Sequence, residues 1–596
     1  MKKEGRIMNL AALLHRPESE DCFLYTDEAM RVRFHTARAD VAKVTVLYGD
    51  PYWQLPDADG TNKLIYQRRS MHLIGHGQTR DHWEVTLEAP YRRLQYLFEV
   101  TGQDGAVWLY GDRGVRENHA AARHKAENYF RMPYFHAIDR VKTPDWVKQT
   151  VWYQIFPERF ANGDPDNDPI GTKPWRPTDH PGREDYYGGD LQGVLDHLDD
   201  LQALGINGLY FCPIFTAASN HKYDTIDYLN VDPAFGDKVL FAKLIQAAHQ
   251  RGMRVMLDAV FNHMGFGSMQ WQDVLRNGEA SRFASWFHIY QTPVTPFHNP
   301  LKNAGQPQYD TFAFEEKMPK LNTANPEVQE YLLTVATYWI KTFDIDAWRL
   351  DVANEVDHHF WKRFYATVTA IKPDFYVLGE VWHRAQPWLN GDEFSGVMNY
   401  PFTQQIEDHF FKRTLTAEEM VALLTDQLMY YRDQTNQVML NMLDSHDTPR
   451  ILTLAHGDEV LALQALTFTF MQTGAPCLYY GTEMGMSGGD DPDDRKPMDW
   501  SKLGSPIWKK VAELVHFRRK HAQTLGQGST RMSVTAAGLI KVTRHGDETL
   551  TAYFNTQDHE AAVGGSAVLT QGFTNGKLAP KGFMVRSEER RVGKEC

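Results

Sequence analysis

The 596-residue chain is poor in cysteine: Cys22, Cys212, Cys477 and Cys596 lie far apart. That excludes a CxxC pair, metal-ligand spacing and a disulfide framework, and points to a reducing compartment. Cys212 and Cys477 fall in apolar runs and read as small buried hydrophobes. No run of 18 apolar residues occurs, so nothing reads as a membrane span. The start, MKKEGRIMNLAALL (1–14), holds only a short apolar piece, with no small-residue cleavage motif before charges resume. A cytoplasmic protein without a membrane partner is expected. Positive charge is also short: 63 Lys and Arg against 76 Asp and Glu leave a net charge of −13. This argues against nucleic acid, because neutralising phosphates takes a basic surface. Aromatic residues are plentiful, with 15 Trp and 27 Tyr, and flat aromatic faces suit sugar rings as well as cores.

Up to about Ala137, short alternating segments such as RVRFHTA (31–37), AKVTVLYGD (42–50) and LQYLFEVTG (94–102) predict an N-terminal β-sandwich over 1–137. From Val151 the pattern becomes strand then helix, repeatedly. Eight strands are predicted: VWYQIF (151–156), INGLYFCP (206–213), RVMLDAVF (254–261), IDAWRLD (345–351), FYVLGE (375–380), GVMNYP (396–401), VMLNMLD (438–444) and APCLYYG (475–481). Between most of them lie amphipathic helices, including 191–205, 238–252, 326–343, 358–372, 417–433, 461–474 and 507–520. The one after the fifth strand is weakest, interrupted by Pro387 and Gly391. Eight such alternations predict an α/β fold, a (β/α)₈ TIM barrel over 138–523, with a doubly wound open sheet as the runner-up. About 60 residues separate the third strand from the helix at Pro326, too many for a plain loop, so a small inserted domain is expected over about 264–324. Alternation returns in LIKVTRHG (539–546) and LTAYFNTQ (550–557), predicting a C-terminal β-sandwich domain over 524–585. The tail, 586–596, is charged and patternless and is expected to be disordered or non-native.

A barrel of this kind carries its active site at the C-terminal strand ends. Strand three ends in DAVFNH, placing Asp258, Asn262 and His263 there. Strand four supplies Arg349 and Asp351, which share a face because side chains alternate along a strand. The guanidinium is expected to lower the carboxyl pKa of Asp351 and fix its orientation. Strand five ends at Glu380, followed by Trp382, and strand seven runs into Asp444, His446 and Asp447. Several carboxylates and two histidines without a phosphate loop suggest glycoside chemistry, one carboxylate attacking or stabilising and a second protonating the leaving oxygen. A metal-dependent hydrolase would want HxH after the first strand, where Gln154 stands instead.

DAVFNH (258–263), WRLDVANE (348–355), GEVWH (379–383) and LDSHD (443–447) resemble, in order and placement, the four signature regions of the alpha-amylase family, glycoside hydrolase family 13. MPKLN (318–322) and VANEVDH (352–358) resemble its neopullulanase, cyclomaltodextrinase and maltogenic amylase branch. The N-terminal β domain resembles the starch-binding-type module of these enzymes. The resemblance implies Asp351 as nucleophile, Glu380 as general acid/base and Asp447 as transition-state stabiliser. It implies that Arg349, His263 and His446 hold the sugar being cleaved, with Asp258 among the substrate-contacting groups. Tyr223 would stack under that sugar, Asp491 and Arg495 would grip the next ring, and Trp382 and Phe312 would line the cleft. It further implies a structural Ca²⁺ held by Asn162, Asp164, Asn167, Asp168, the Gly188 carbonyl and Asp190, whose closely spaced oxygens suit a hard cation. Retaining hydrolysis of cyclodextrins, pullulan and maltodextrins, with transglycosylation, by a homodimer is the implied activity. An α-1,6-glucosidase or glucosyl isomerase on the same barrel, and a non-catalytic amylase-like binding protein, are the alternatives.

Overall fold

A computed structural model describes residues 7–56, 62–295 and 308–589. Contacts divide the chain into two compact units. The first comprises Met1–Lys142, Arg413–Asn436 and Thr530–Thr543; the second comprises Thr143–Lys412, Gln437–Ser529 and Arg544–Cys596. Segments 413–436 and 530–543 therefore group with the N-terminal region, not with the barrel and C-terminal regions to which their positions in the sequence assigned them.

In the first unit two antiparallel sheets form the expected β architecture. One runs Cys22–Leu24, Ala29–Ala37, Arg80–Glu88, His72–His76; the other is centred on Val41–Gly49 and Leu94–Gly102. Alternate residues meet in the core: Val32 and Phe34 from the first sheet, Val44, Val46, Phe98 and Val100 from the second. Phe34 stacks on Phe98 at 4.3 Å. The helix Ala417–Met429 and the turn after it join this unit through buried polar contacts. His82 Nε2 lies 2.7 Å from Asp426 Oδ1, Arg33 pairs with Glu84 and Asp433, and Gln434 Nε2 donates to the Leu24 carbonyl.

The second unit is a parallel barrel. Its strands are β1 (Trp152–Ile155), β2 (Gly208–Phe211), β3 (Arg254–Ala259), β4 (Ala347–Leu350), β5 (Tyr376–Gly379), β6 (Gly396–Val397), β7 (Leu440–Asn441) and β8 (Ala475–Tyr479). The pairing order is β6-β5-β4-β3-β2-β1-β8-β7, and a parallel bridge between Met398 and Leu440 closes the ring. The open doubly wound alternative is excluded by that closure. Trp152, Met256, Ala347, Tyr376 and Cys477 pack together in an apolar cluster inside the barrel. Two residues further along β1, β3 and β4 the inward face turns polar, with Gln154, Asp258 and Arg349, and the β3–β4 register sets Asp258 directly beside Arg349.

The crossover helices start and stop where their caps dictate. Pro326–Phe343 begins with Asn325 capping the Glu327 N–H and proline at the first position, and stops at Asp344 in a left-handed conformation. The helix expected over 191–205 is two, Leu191–Asp196 and Leu198–Leu204, broken at His197 and ended by Gly205 at φ +98°. Between β5 and β6 only the turn Gln386–Trp388 forms, in keeping with Pro387 and Gly391. The 60-residue excursion folds on the helix Met269–Asn277, where Trp271 packs on Phe287 and Tyr309. The bridge His263–Lys320 ties this excursion back to the end of β3. In the C-terminal part, Lys577–Glu589 pairs with Glu548–Phe554 and Leu569–Thr574. This corrects the reading of 586–596 as a patternless tail. Arg586, Ser587 and Glu588 are strand residues opposite Thr551, Leu550 and Thr549. Their charge hid the strand, since backbone pairing needs no apolar side chain; 590–596 lie outside the described residues. No described helix is long and apolar enough to cross a membrane.

Candidate active site

The site is built around one guanidinium. Arg349 is wholly buried. Its Nη1 donates to both oxygens of Asp258 at 3.0 Å and to Asp351 Oδ1 at 2.7 Å, while Nη2 lies 2.9 Å from Glu380 Oε2. Strand register explains the convergence. Asp258 and Arg349 are cross-strand neighbours on β3 and β4, Asp351 is the first residue past β4, and Glu380 the first past β5. The next residue, Val352, sits at φ +45°, a left-handed conformation unfavourable for a β-branched side chain. It turns the Val352 N–H onto Glu380 Oε2 at 2.8 Å.

Three carboxyls against one guanidinium change the expected electrostatics. Burial, reinforced by the charges of Glu380 and Asp258, outweighs Arg349 and pushes Asp351 well above the usual carboxylate range. Burial likewise raises Asp258 to about 6 against the pull of Arg349. Arg349 does pull the Asp351 pKa down as expected, but burial outweighs it, so the net direction is upward. The arginine orients the carboxyl, while burial and the two neighbouring carboxyls oppose its ionisation.

Around this centre the other predicted residues gather. Tyr223 Oη lies 3.0 Å from Asp258 Oδ2 and 2.6 Å from His446 Nε2, and its ring stacks on that imidazole at 5.3 Å. His446 Nε2 is 3.2 Å from Asp447 Oδ2. Arg495 spans this side of the site: Nε donates to the His446 carbonyl at 2.7 Å, Nη2 reaches Asp447 Oδ1 at 3.2 Å and Nη1 reaches Asp491 Oδ1 at 2.9 Å. His263 is buried and pinned, with Nε2 3.1 Å from the Tyr223 carbonyl; burial lowers it to about 3, so it is neutral. Phe312 stacks on its ring at 5.3 Å. Trp382, half exposed, donates its indole N–H to Glu380 Oε1 at 3.0 Å. Two strand-end residues take no part: Asp444 accepts from Thr482 and the Ile451 N–H, and Asn262 is tied to Lys320.

Sequence reading missed three residues. Tyr400 stacks on Trp382 at 3.7 Å and backs the indole that holds Glu380. Tyr210 donates to Asp258 Oδ2 at 3.1 Å. Gln154 lies 2.8 Å from His446 Nδ1. The period-two rule that paired Arg349 with Asp351 also points Gln154 and Tyr210 inward, and was the available signal.

In the loop 162–190, Asp190 is wholly buried and caps the helix at Leu191, accepting from the Gly163, Asp164 and Gly193 N–H groups. Asn162 Nδ2 donates to Asp168 Oδ1 at 2.9 Å. The side-chain oxygens of Asn162 and Asn167 are buried without a hydrogen-bond partner. Gly188, at φ +83°, lies so close that a Cβ there would strike Asp168 Oδ1 and Asn162 Nδ2. Two orphaned amide oxygens in a cradle only glycine allows fit a hard oxygen-seeking cation. Among the described residues no three His, Cys, Asp or Glu side chains converge in a group that could hold a metal ion, so amide and backbone oxygens would have to complete the set.

Residues 154–514 match the alpha amylase catalytic domain, and 8–136 match the alpha amylase N-terminal ig-like domain. The chain belongs to the alpha-amylase family of glycoside hydrolases. It is 46% identical over 554 residues to the intracellular maltogenic amylase of Bacillus subtilis, covering 92% of this chain and 91% of that one. It is 45% identical over 566 residues to a cyclomaltodextrinase of Geobacillus thermopakistaniensis, covering 93% and 92%. A solved cyclomaltodextrinase structure superposes with a TM-score of 0.87 at 40% identity, over 97% of this chain and all of that one.

Proposed function

We propose that this enzyme hydrolyses α-1,4 bonds of cyclodextrins, pullulan and short maltodextrins with retention of configuration. The observation that carries the reading is the single buried guanidinium that touches Asp351 through one Nη and Glu380 through the other. Carboxyls so held suit the retaining separation of about 5–5.5 Å rather than the wider inverting one. Asp351 attacks the anomeric carbon as Glu380 gives its proton to the glycosidic oxygen. Asp447 stabilises the oxocarbenium-like transition state, and water activated by Glu380 then releases the sugar. Tyr223 stacks under the reacting ring, Arg349, Asp258, His263 and His446 fix its hydroxyls, Asp491 and Arg495 hold the next ring, and Trp382 and Phe312 flank the leaving side. A sugar hydroxyl in place of water gives transglycosylation. The names of the maltogenic amylase and cyclomaltodextrinase relatives support the substrate class.

Asn162, Asp164, Asn167, Asp168, the Gly188 carbonyl and Asp190 would hold a structural Ca²⁺ that stiffens this loop and takes no part in the reaction. A homodimer is supported by an exposed aromatic patch on the N-terminal unit, where Tyr52 is 75% and Tyr91 52% exposed, with Trp53 and Arg93 packed on Tyr91. Patches of this kind mark interaction surfaces. Cytoplasmic location is supported by the buried free thiols of Cys22, Cys212 and Cys477 and by the intracellular relative.

The test is initial rates on β-cyclodextrin, pullulan and soluble starch with product chromatography. Ring opening to maltose and glucose, panose from pullulan and slow starch cleavage are expected. Fast starch cleavage with inert cyclodextrin would overturn the substrate assignment, and near-normal turnover by Asp351→Asn would overturn the nucleophile.

A further inference from the structure

Gln154 has no place in the roles above, yet it is 1% exposed and touches the active site from β1. Its Nε2 lies 2.8 Å from His446 Nδ1 and 3.6 Å from Cys212 Sγ. A carboxamide nitrogen only donates, so Gln154 turned this way calls for a bare Nδ1 and leaves the imidazole proton to Nε2. The ring carries no second proton, since burial, with the charges of Arg495 and Arg349 behind it, holds His446 well below the usual imidazole range. Its Nε2–H therefore faces Tyr223 Oη at 2.6 Å and Asp447 Oδ2 at 3.2 Å. The single hydroxyl hydrogen of Tyr223 is left for Asp258 Oδ2 at 3.0 Å. Asp258 also receives Tyr210 Oη and Arg349 Nη1, so it is an acceptor throughout. The donors run one way, from Gln154 through His446 and Tyr223 to Asp258, across the barrel mouth from β1 to β3.

We propose that Gln154 is a positioning residue for glycoside cleavage, fixing His446 as the neutral, Nε2-protonated tautomer that presents its N–H to the Asp447 side of the cleft. This rests on the retaining reading of the same site. Without the Gln154 donor, Nδ1 is free to take the proton. The bare Nε2 would then face the lone pairs of Asp447 and of the Tyr223 hydroxyl, and the chain would lose its direction.

Neutron diffraction from crystals of the full chain at neutral pD tests the tautomer without any variant. A deuteron on His446 Nε2 and none on Nδ1 is expected; a deuteron on Nδ1 overturns the proposal. Kinetics on β-cyclodextrin test its consequence. Gln154→Leu, nearly isosteric, is expected to lower kcat about tenfold, the equivalent of one buried hydrogen bond, with KM little changed. Gln154→Glu reverses the polarity when ionised and restores a donor when protonated. Its kcat profile is therefore expected to shift to lower pH relative to that of Gln154→Leu, which a merely structural role would not produce. Wild-type kcat in Gln154→Leu, or identical pH profiles for the two variants, overturns it. The parent reading fails separately: if Asp351→Asn turns over normally, the mechanism falls, while the neutron result still decides the tautomer.

Discussion

Removing the Arg349 charge tests whether the site is held as one electrostatic unit. Its side chain is wholly buried, and its contacts with Asp258, Asp351 and Glu380 all fall between 2.7 and 3.0 Å. Arg349→Met keeps the stem and strands three buried carboxyls without a cation. Removing one partner of a buried ion pair costs about 3–5 kcal/mol. The stranded carboxyls can escape by binding protons, so the cost depends on pH. Asp258 and Asp351 already lie above the unfolded value of about 4, and losing the arginine raises them further, so folding is coupled to proton uptake. The penalty is therefore complete above the raised folded values and shrinks as pH falls toward 4. Thermal unfolding of both proteins at pH 8 and pH 5 is the assay. At pH 8 the expected gap is about 6–10 °C, taking roughly 2 °C per kcal/mol for a large domain. At pH 5 it should be clearly smaller, and turnover should be lost at both. A gap below about 1 kcal/mol at pH 8, or one that does not change with pH, would refute the claim that the guanidinium holds these carboxyls together.

Three further outcomes are expected. Asp346, buried before β4, is tied to His249, Arg254, Lys372 and the Val255 N–H. Burial alone would raise its pKa, but bonds from His249 and Lys372 reverse this and hold it below the usual range. Its stabilisation, about 2–3 kcal/mol, is full above the unfolded pKa near 4 and is lost as pH falls through the lower folded value. The stability gap to Asp346→Asn should accordingly narrow from pH 7 to pH 3, and a gap that widens in acid contradicts this. Chelation should lower the unfolding temperature and added Ca²⁺ restore it; Asn162→Ala with Asn167→Ala should abolish that response, and an undiminished response would mean that other oxygens bind the ion. His82 joins His35 at 2.7 Å and Asp426 at 2.7 Å, so His82→Gln should speed amide exchange in 417–429 about tenfold, the equivalent of one charge-assisted hydrogen bond; unchanged protection would show that the contact contributes nothing.

The barrel was legible because buried parallel strands alternating with amphipathic helices leave two periodicities in the sequence, and the strand ends then name their own acids. That rule collected Asp351, Glu380 and Asp447 together with Asp258 and Asp444, and the family resemblance singled out the three. Gln154 and Tyr400 were not, because neither is an acid or a histidine, and each acts through another side chain. Gln154 reads as one polar residue in a strand, and only its 2.8 Å approach to His446 gives it meaning. Tyr400 reads as core until its ring is seen 3.7 Å from Trp382. The strand at Arg586–Glu588 was hidden for a different reason: pairing with 549–551 is a backbone property, and charged side chains give no sign of it. The grouping of 413–436 with the N-terminal region depends on contacts such as His82–Asp426, which join residues 344 positions apart. No local pattern reports a contact of that span.

The pKa of Asp351 shows how far a pairwise argument carries. Arg349 two residues away promised a lowered value, and the contact is real at 2.7 Å. Arg349 does lower it, but burial, the largest influence, outweighs that pull, and the register of β3 and β4 adds Asp258 and β5 adds Glu380 as like charges at the same guanidinium. A retaining glycosidase needs one carboxyl ionised and one protonated at the same pH. Here Asp351 meets Nη1 of Arg349 and Glu380 meets Nη2 together with the Val352 N–H, so the two reacting carboxyls are held by different donors. Arg349 ties the three carboxyls together, and the Val352 N–H and the Trp382 indole bear on the second acid, Glu380. A substrate that takes the Trp382 N–H leaves Glu380 held through Oε2 alone, by the Val352 N–H and Arg349, with Oε1 free to meet the glycosidic oxygen.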